Sequence, residues 1–310
     1  MKISFVIPCY KSEKTIENVV EEIIQLLKNK KEFTSEIVMV SDSSPDDVFL
    51  VIKKICSKYP SLCKGVELSK NFGQHAALMA GYSYSTGDVI FSLDDDGQAP
   101  LESIFDMITK VEEECFDCCF GAYKNKKHSW FRNFGSRVND KMAEYLLGKP
   151  KQISVTSFFC VKRYIIDEVL KYKNSYPYIL GLILRVTRNI CNVEVNHRER
   201  IQGKSGYTFT KLLGLWMNGF TAFSIKPLRI ASFVGALSAF LGLILGVLSV
   251  INKLFFNSAA PMGYTSTIVV ILFLGGCQML ILGLIGEYVG RTYVCSNSAP
   301  QFVVKEKINI

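Results

Sequence analysis

Ile230 to Ile251 is a run of 22 residues without a charge. As a helix it reaches about 33 Å at about 1.5 Å per residue, enough to cross a bilayer core. After Lys253 no charge appears until Glu287, and Ser266 to Ile285 forms a second such run. Gly235, Gly242, Gly246, Gly275 and Gly276 dot both runs, which suits close helix contacts in lipid. A chain of 310 residues has little room to bury two uncharged helices of this length. The pattern therefore predicts transmembrane helices over 230–251 and 266–288, joined by a short extracytoplasmic loop over 252–265.

Charge sets the expected orientation. Lys226 and Arg229 precede the first span, Arg291, Lys305 and Lys307 follow the second, and the loop between them holds only Lys253. By the positive-inside rule both ends of the hairpin face the cytosol, leaving 289–310 as a cytosolic tail. Met1-Lys2 leads straight into Ile3–Pro8, too short for the core of a secretion signal. The ten cysteines are irregularly spaced and read as reduced cytosolic thiols. Cys115-x-x-Cys118-Cys119 lacks a nearby second pair and reads as packing between a helix and the next strand rather than as a zinc site.

Residues 1–120 alternate short apolar runs with amphipathic stretches. Ile3–Pro8, Glu36–Ser41, Gly65–Ser69 and Asp88–Leu93 read as strands; 13–30, 46–57 and 74–85 read as helices. This alternation predicts an α/β domain with a parallel sheet covered on both faces. Ligands bind such sheets at the carboxyl ends of the strands. Four polar clusters stand there: Pro8-Cys9-Tyr10, Ser41-Asp42-Ser43-Ser44, Asn71-Phe72-Gly73-Gln74-His75 and Asp94-Asp95-Asp96-Gly97-Gln98. Residues 120–163 hold ten Lys or Arg against Asp140 and Glu144. Upstream of two membrane spans, this basic stretch predicts contact with phosphates or anionic lipid rather than nucleic acid.

The triple carboxylate carries the chemistry. In extended chain, residues i and i+2 point the same way, so Asp94 and Asp96 can converge on one cation while Asp95 points elsewhere. Oxygen ligands of this kind suit Mg²⁺ or Mn²⁺, which keep some waters and bind substrate phosphates.

These motifs carry a resemblance. Ile3–Tyr10, Ser41–Ser44 and Asp94-x-Asp96-x-Gln98-x-Pro100 resemble glycosyltransferase family 2, whose domain is a Rossmann-like GT-A fold. Asn71–His75, Ser129-Trp130-Phe131-Arg132, His197-x-x-Arg200-x-x-Gly203-x-Ser205-x-Tyr207 and Gly286-Glu287-Tyr288-Val289-Gly290-Arg291 are similar to the polyprenyl-phosphate glycosyltransferases within it. Bactoprenol glucosyltransferases, undecaprenyl-phosphate aminoarabinose transferases and, more distantly, dolichol-phosphate mannose synthase share the pattern.

The resemblance implies a metal-dependent, inverting transfer from a nucleotide sugar to a polyprenyl phosphate. It favours UDP over GDP, undecaprenyl phosphate as carrier, and a product used in cell-envelope glycan modification. Asp94 and Asp96 would hold Mg²⁺ or Mn²⁺ and, with Gln98, form the catalytic set. Pro8, Tyr10, Asp42, Ser44, Asn71, Gln74 and Asp95 would line the nucleotide site. Arg132, Arg137, His197, Arg200, Lys204 and Ser205 would bind the lipid phosphate, for which arginine offers a planar fork. It implies a bacterial inner-membrane protein of several passes with a cytosolic catalytic domain, and a homo-oligomer, for which a tetramer is the suggested state.

The chain departs from many relatives at Ser41, where they carry Asp or Asn, and at Ala99, where they carry Asp; some carry a further Asp near Ser157. Thr156-Ser157-Phe158-Phe159 has no carboxylate to act as base. A phosphate monoester has a second pKa near about 6 and is already a nucleophile at neutral pH, so catalysis without a protein base is the expectation. Two alternatives remain at this level: a catalytically inactive carrier-binding scaffold, and a processive polysaccharide synthase, against which the lack of a Gln-x-x-Arg-Trp motif counts. The expected organisation is a GT-A domain over 1–207, amphipathic juxtamembrane helices over 208–229, the two spans and the tail.

Overall fold

In a computed structural model of the chain, residues 1–28, 30, 32–123, 144, 148–175, 177–196, scattered positions between 228 and 251, 263–297 and 299–310 are described. The chain divides into two compact units, Met1–Leu213 with Ser298–Ile310, and Gly214–Asn297.

The first unit begins with repeated strand–helix pairs. They are β1 (Lys2–Cys9), α1 (Ile16–Leu27), β2 (Thr34–Ser41), α2 (Val48–Lys58), β3 (Cys63–Leu68), α3 (Gln74–Tyr84) and β4 (Val89–Ser92). A short 3-10 turn at Leu101–Ser103 leads into α4 (Ile104–Glu112). Then follow β5 (Cys118–Tyr123), β6 (Phe159–Lys162), α5 (Arg163–Val169), α6 (Ile179–Val186) and β7 (Ile190–Val195). The second unit supplies α7 (Tyr264–Ser296), and β8 (Val304–Ile308) returns to the first.

The described strands form one sheet in the order β7-β5-β6-β4-β1-β2-β3-β8. β1 pairs in parallel with β2 and β4, β2 with β3, and β5 with β7. The expected all-parallel sheet is corrected at two strands: β6 runs antiparallel between β4 and β5, and β8 antiparallel to β3. An antiparallel neighbour needs no crossover helix to join it, so β6 and β8 are free of the parallel direction that a βαβ unit demands.

Burial explains the central elements. From Ile3 to Cys9 every β1 residue is buried, as expected for a strand covered on both faces. α1 buries Ile16, Val19, Val20 and Ile23, spaced to line one helical stripe. α3 buries Ala76 through Tyr82 without a break, so its small residues serve close packing on the sheet rather than a polar face. A Cβ on Gly81 would overlap Val6 Cγ1 and stand 3.2 Å from Val40 Cγ2. Both valines are β-branched, fixed in central strands and unable to swing away. Gly81→Ala is expected to destabilise the protein by about 1–3 kcal/mol through overpacking, read as a lowered denaturant midpoint in detergent.

A carboxylate is buried near the amino ends of the strands. Glu36 is 3% exposed and receives Ser4 Oγ at 2.6 Å, Lys64 Nζ at 3.0 Å and Lys2 Nζ at 3.0 Å, with Thr86 adding its N–H. Burial alone would raise its pKa; these donors outweigh it and hold the carboxyl at about 2.

In the second unit, α7 contains the stretch Phe273–Gly290, long and apolar enough to cross a membrane and with no residue buried. Among the described residues it is the one such helix. The run 230–251 is described only at separated positions; Ala231, Phe233, Gly235, Leu237, Phe240, Ile244 and Ile251 are all helical. A Cβ on Gly235 would lie 3.5 Å from Ile281 Cδ1, so the two helical stretches touch at a glycine. The segment 289–310 is more than a tail: α7 continues to Ser296 and β8 closes the sheet edge.

Candidate active site

The loops after β1, β2, β3 and β4 each contain one residue in the left-handed region: Lys11 (φ 60), Ser43 (φ 48), Gly73 (φ 91) and Gly97 (φ 74). At Lys11 and Ser43 this backbone costs about 1–3 kcal/mol, because each carries a side chain. Cross-loop hydrogen bonds hold it. Lys11 N–H donates to Ser44 Oγ at 2.7 Å, Ser44 Oγ–H to Asp46 Oδ1 at 2.5 Å, and Glu13 N–H to Asp46 Oδ2 at 3.0 Å. Ser44, expected to touch nucleotide, is thus the pin between the first two loops.

Asp42, 3% exposed, ties the second loop to the third: Phe72 N–H donates to Oδ1 at 2.7 Å and Gly73 N–H to Oδ2 at 2.8 Å. Burial pushes its carboxyl up in spite of these two bonds. The third and fourth loops meet through Gln74, whose Nε2 donates to Asp94 Oδ1 at 2.8 Å. The fourth returns to the first through Asp95, whose Oδ2 accepts Tyr10 N–H at 2.9 Å. Burial pushes the Asp95 carboxyl up to about 6, and the neighbouring Asp94 charge adds to the shift. Asp95 thus turns in to fasten the β1 loop, from a turn at Asp95 and Asp96 rather than from extended chain.

Asp94 and Asp96 share surroundings that Asp95 does not. Burial, then the charges of Asp94 and Asp96, push the Tyr123 phenol up to about 12, so both carboxylates act on this hydroxyl at the end of β5. Ser157 Oγ–H donates to Asp94 Oδ2 at 2.5 Å. Asp96 Oδ1 accepts the N–H of Gln98 at 3.0 Å, which shapes the turn around Gly97. Among the described residues no group of three His, Cys, Asp or Glu could hold a metal. Two neighbouring carboxylates of hard oxygen still fit Mg²⁺ or Mn²⁺, which complete their shell with water and phosphate oxygens.

Of the other expected residues, Pro8 is buried in β1 opposite Val40, and Tyr10, Asn71 and Gln74 are exposed around the loops. The structure thus gathers the four clusters at the carboxyl ends of β1 to β4. Arg132, Arg137, His197, Arg200, Lys204 and Ser205 lie outside the described residues. Tyr123 escapes motif reasoning; its place at a strand's carboxyl end is the available signal. Ser157 stands out in the sequence only for lacking a carboxylate, yet it braces Asp94. Cys118 and Cys119 are buried in β5 as expected, whereas Cys115, after α4, is exposed and does not pack with them.

Comparison with known proteins accords with this geometry. Residues 4–170 match the model of glycosyl transferase family 2, and residues 226–292 match that of the GtrB C-terminal hairpin. The chain is 30% identical, over 100% of its length and 94% of the relative's, to undecaprenyl-phosphate 4-deoxy-4-formamido-L-arabinose transferase of Proteus mirabilis. It is 31% identical to the protein of the same name from Serratia proteamaculans, over 99% of this chain and 94% of that one. Among solved structures, glucosyl-3-phosphoglycerate synthase of Mycobacterium tuberculosis, in complex with Mn²⁺, UDP-glucose and phosphoglyceric acid, superposes with a TM-score of 0.52. That match has 16% identity and covers 73% of this chain and 79% of that one, which shows a shared GT-A fold. The chain belongs to glycosyl transferase family 2 and is a glycosyltransferase.

Proposed function

We propose that the protein transfers a sugar from a nucleoside diphosphate, UDP by preference, to the phosphate of undecaprenyl phosphate, with inversion at the anomeric carbon. The observation that carries this reading is the geometry at the carboxyl ends of β1 to β4, where the loops bonded to one another through Asp42, Gln74 and Asp95 present Asp94, held by Gln74 and Ser157, with Asp96 two residues on. It stands in a chain similar along its whole length to undecaprenyl-phosphate sugar transferases.

In the reaction, an oxygen of the lipid phosphate forms a bond to the anomeric carbon as the bond from that carbon to the diphosphate breaks. The electron pair leaves with the diphosphate. Asp94 and Asp96 would hold Mg²⁺ or Mn²⁺, which supplies charge neutralisation to the departing diphosphate. Gln74 and Ser157 keep Asp94 oriented, and the Gln98 N–H keeps Asp96 so. Tyr10 and Asn71, exposed at the rim, line the nucleotide side. The neutral Ser157 donates to Asp94 and so is not a base, in keeping with an acceptor that supplies its own dianion.

In this proposal the protein sits in a bacterial inner membrane as a two-pass hairpin with a cytosolic catalytic domain, assembled as a homo-oligomer. Arg132, Arg137, His197, Arg200, Lys204 and Ser205 serve the lipid phosphate.

The test is incubation of purified protein with undecaprenyl phosphate, Mn²⁺ or Mg²⁺ and a panel of UDP- and GDP-sugars, with lipid-linked monosaccharide detected by mass spectrometry. One metal-dependent product is expected. Its kcat/KM should rise with pH through a single ionisation near about 6, that of the acceptor phosphate. No product from any donor would sink the reading; a second essential ionisation away from the acceptor's own would sink catalysis without a protein base.

A further inference from the structure

The C-terminal residues are built into the donor side of the sheet. Residues 299–303 reach it at the carboxyl end of β3, where Ser69 N–H donates to Val303 O at 2.8 Å, and β8 then runs back along β3 to pair Ile308 with Gly65. Two ion pairs flank the strand. Lys305 Nζ lies 3.0 Å from Glu67 Oε2, and Lys53 Nζ of α2 lies 2.6 Å from Glu306 Oε1. At the far end the Asn309 side chain donates to Cys56 O at 3.0 Å and Cys63 O at 2.9 Å, joining the end of α2 to the start of β3.

The strand thus held runs directly into the third loop. From Ser69 it is three residues to Phe72, whose N–H, with that of Gly73, engages Asp42, and five to Gln74, which engages Asp94. A register shift falls between Glu67 and Leu68, at the last turn of strand before that loop. An edge strand would otherwise leave this segment with unpaired backbone groups and free to fray. We infer that the C-terminal segment 299–309 is a positioning element of the nucleotide site: its docking on β3 sets the loop 69–74, so nucleotide binding and tail docking favour each other. The inference rests on the donor-site reading above. By linkage the effect is reciprocal: nucleotide should tighten the tail as much as the tail tightens nucleotide.

The test uses the full-length protein in detergent, with UDP and Mn²⁺ as the probe. Titration calorimetry is run on wild type and on Lys305→Glu with Glu306→Lys, which makes both flanking pairs repulsive. A second variant adds Glu67→Lys and Lys53→Glu, restoring opposite charges in swapped order. The first variant is expected to bind UDP about ten-fold more weakly, within the usual range of coupling between sites, and the quadruple variant to recover most of the loss. Hydrogen exchange of residues 303–309 in the wild type should slow when UDP is added. Unchanged exchange with unchanged affinity in the repulsive variant would overturn the inference alone. A weakened repulsive variant that the swap fails to rescue would also overturn it, as general misfolding. Failure of the wild type to bind any nucleotide would overturn the donor-site reading and the inference with it.

Discussion

Asp96→Asn is expected to lower kcat by about three orders of magnitude, equivalent to about 4 kcal/mol of transition-state stabilisation. The substitution isolates charge. An asparagine oxygen can still accept the Gln98 N–H that Asp96 Oδ1 accepts at 3.0 Å, so the turn is retained while one negative charge is lost. Asp94→Asn is expected to lose a comparable amount: its oxygen can keep the Gln74 Nε2 bond and its amide can donate to Ser157 Oγ, a hydroxyl able to accept, so charge is again what is lost. Asp95→Asn should be the mildest of the three in kcat, because an asparagine oxygen can take the Tyr10 N–H. Steady-state kinetics of the three variants under saturating metal, beside their thermal midpoints, check the order. Equal losses at Asp95 and Asp96 would remove the distinction between a loop-fastening and a metal-facing carboxylate.

The largest expected loss of stability lies at the opposite end of the strands. Glu36→Gln leaves the ammonium of Lys64 beside a neutral amide and is expected to cost about 3–5 kcal/mol, as when one partner of a buried ion pair is removed. The sign of the acid response follows from the depressed pKa. The unfolded value is 4.5 and the folded one about 2. The stabilisation is therefore fully present above pH 4.5 and lost as pH falls towards 2. Linkage puts it on the order of 3 kcal/mol. Denaturant midpoints across that window should fall in the wild type and flatten in Glu36→Gln; parallel curves would show that the carboxylate is not ionised in the fold.

The first 120 residues are legible because their physics is local. β1 reads as apolar on both faces, and β1 to β4 and α1 to α3 lie where alternation and periodicity place them. The motif clusters follow strand ends, where the chain must leave the sheet. Less legible is anything decided by pairing across the sheet. Val304–Ile308 is a short alternating run, KEK between apolar residues, that looks like a polar tail until β3 is seen to offer it an unfilled edge. The reversed direction of β6 is hidden for the same reason. Asp42 and Ser44 stand out in the sequence as nucleotide ligands, whereas in the fold their hydrogen bonds go to neighbouring loops. Side-chain type at a strand end reveals that a residue matters there, but not whether it faces ligand or chain. A lone tyrosine ending an apolar strand has no signature, and the bearing of Tyr123 on Asp94 and Asp96 exists only once β5 is set beside β6 and β4.

The place of β8 in the sheet has a consequence of parity. Val304–Ile308 hydrogen-bonds to the same sheet as Lys2–Cys9, so both lie on one side of any bilayer that the intervening chain crosses. The polypeptide between β7 and β8 must then traverse that bilayer an even number of times. A lone crossing by α7 would strand β8 in the wrong compartment, out of reach of β3. If α7 crosses, a return crossing is obligatory, and the uncharged run 230–251 is the stretch of that connection with the length to provide it.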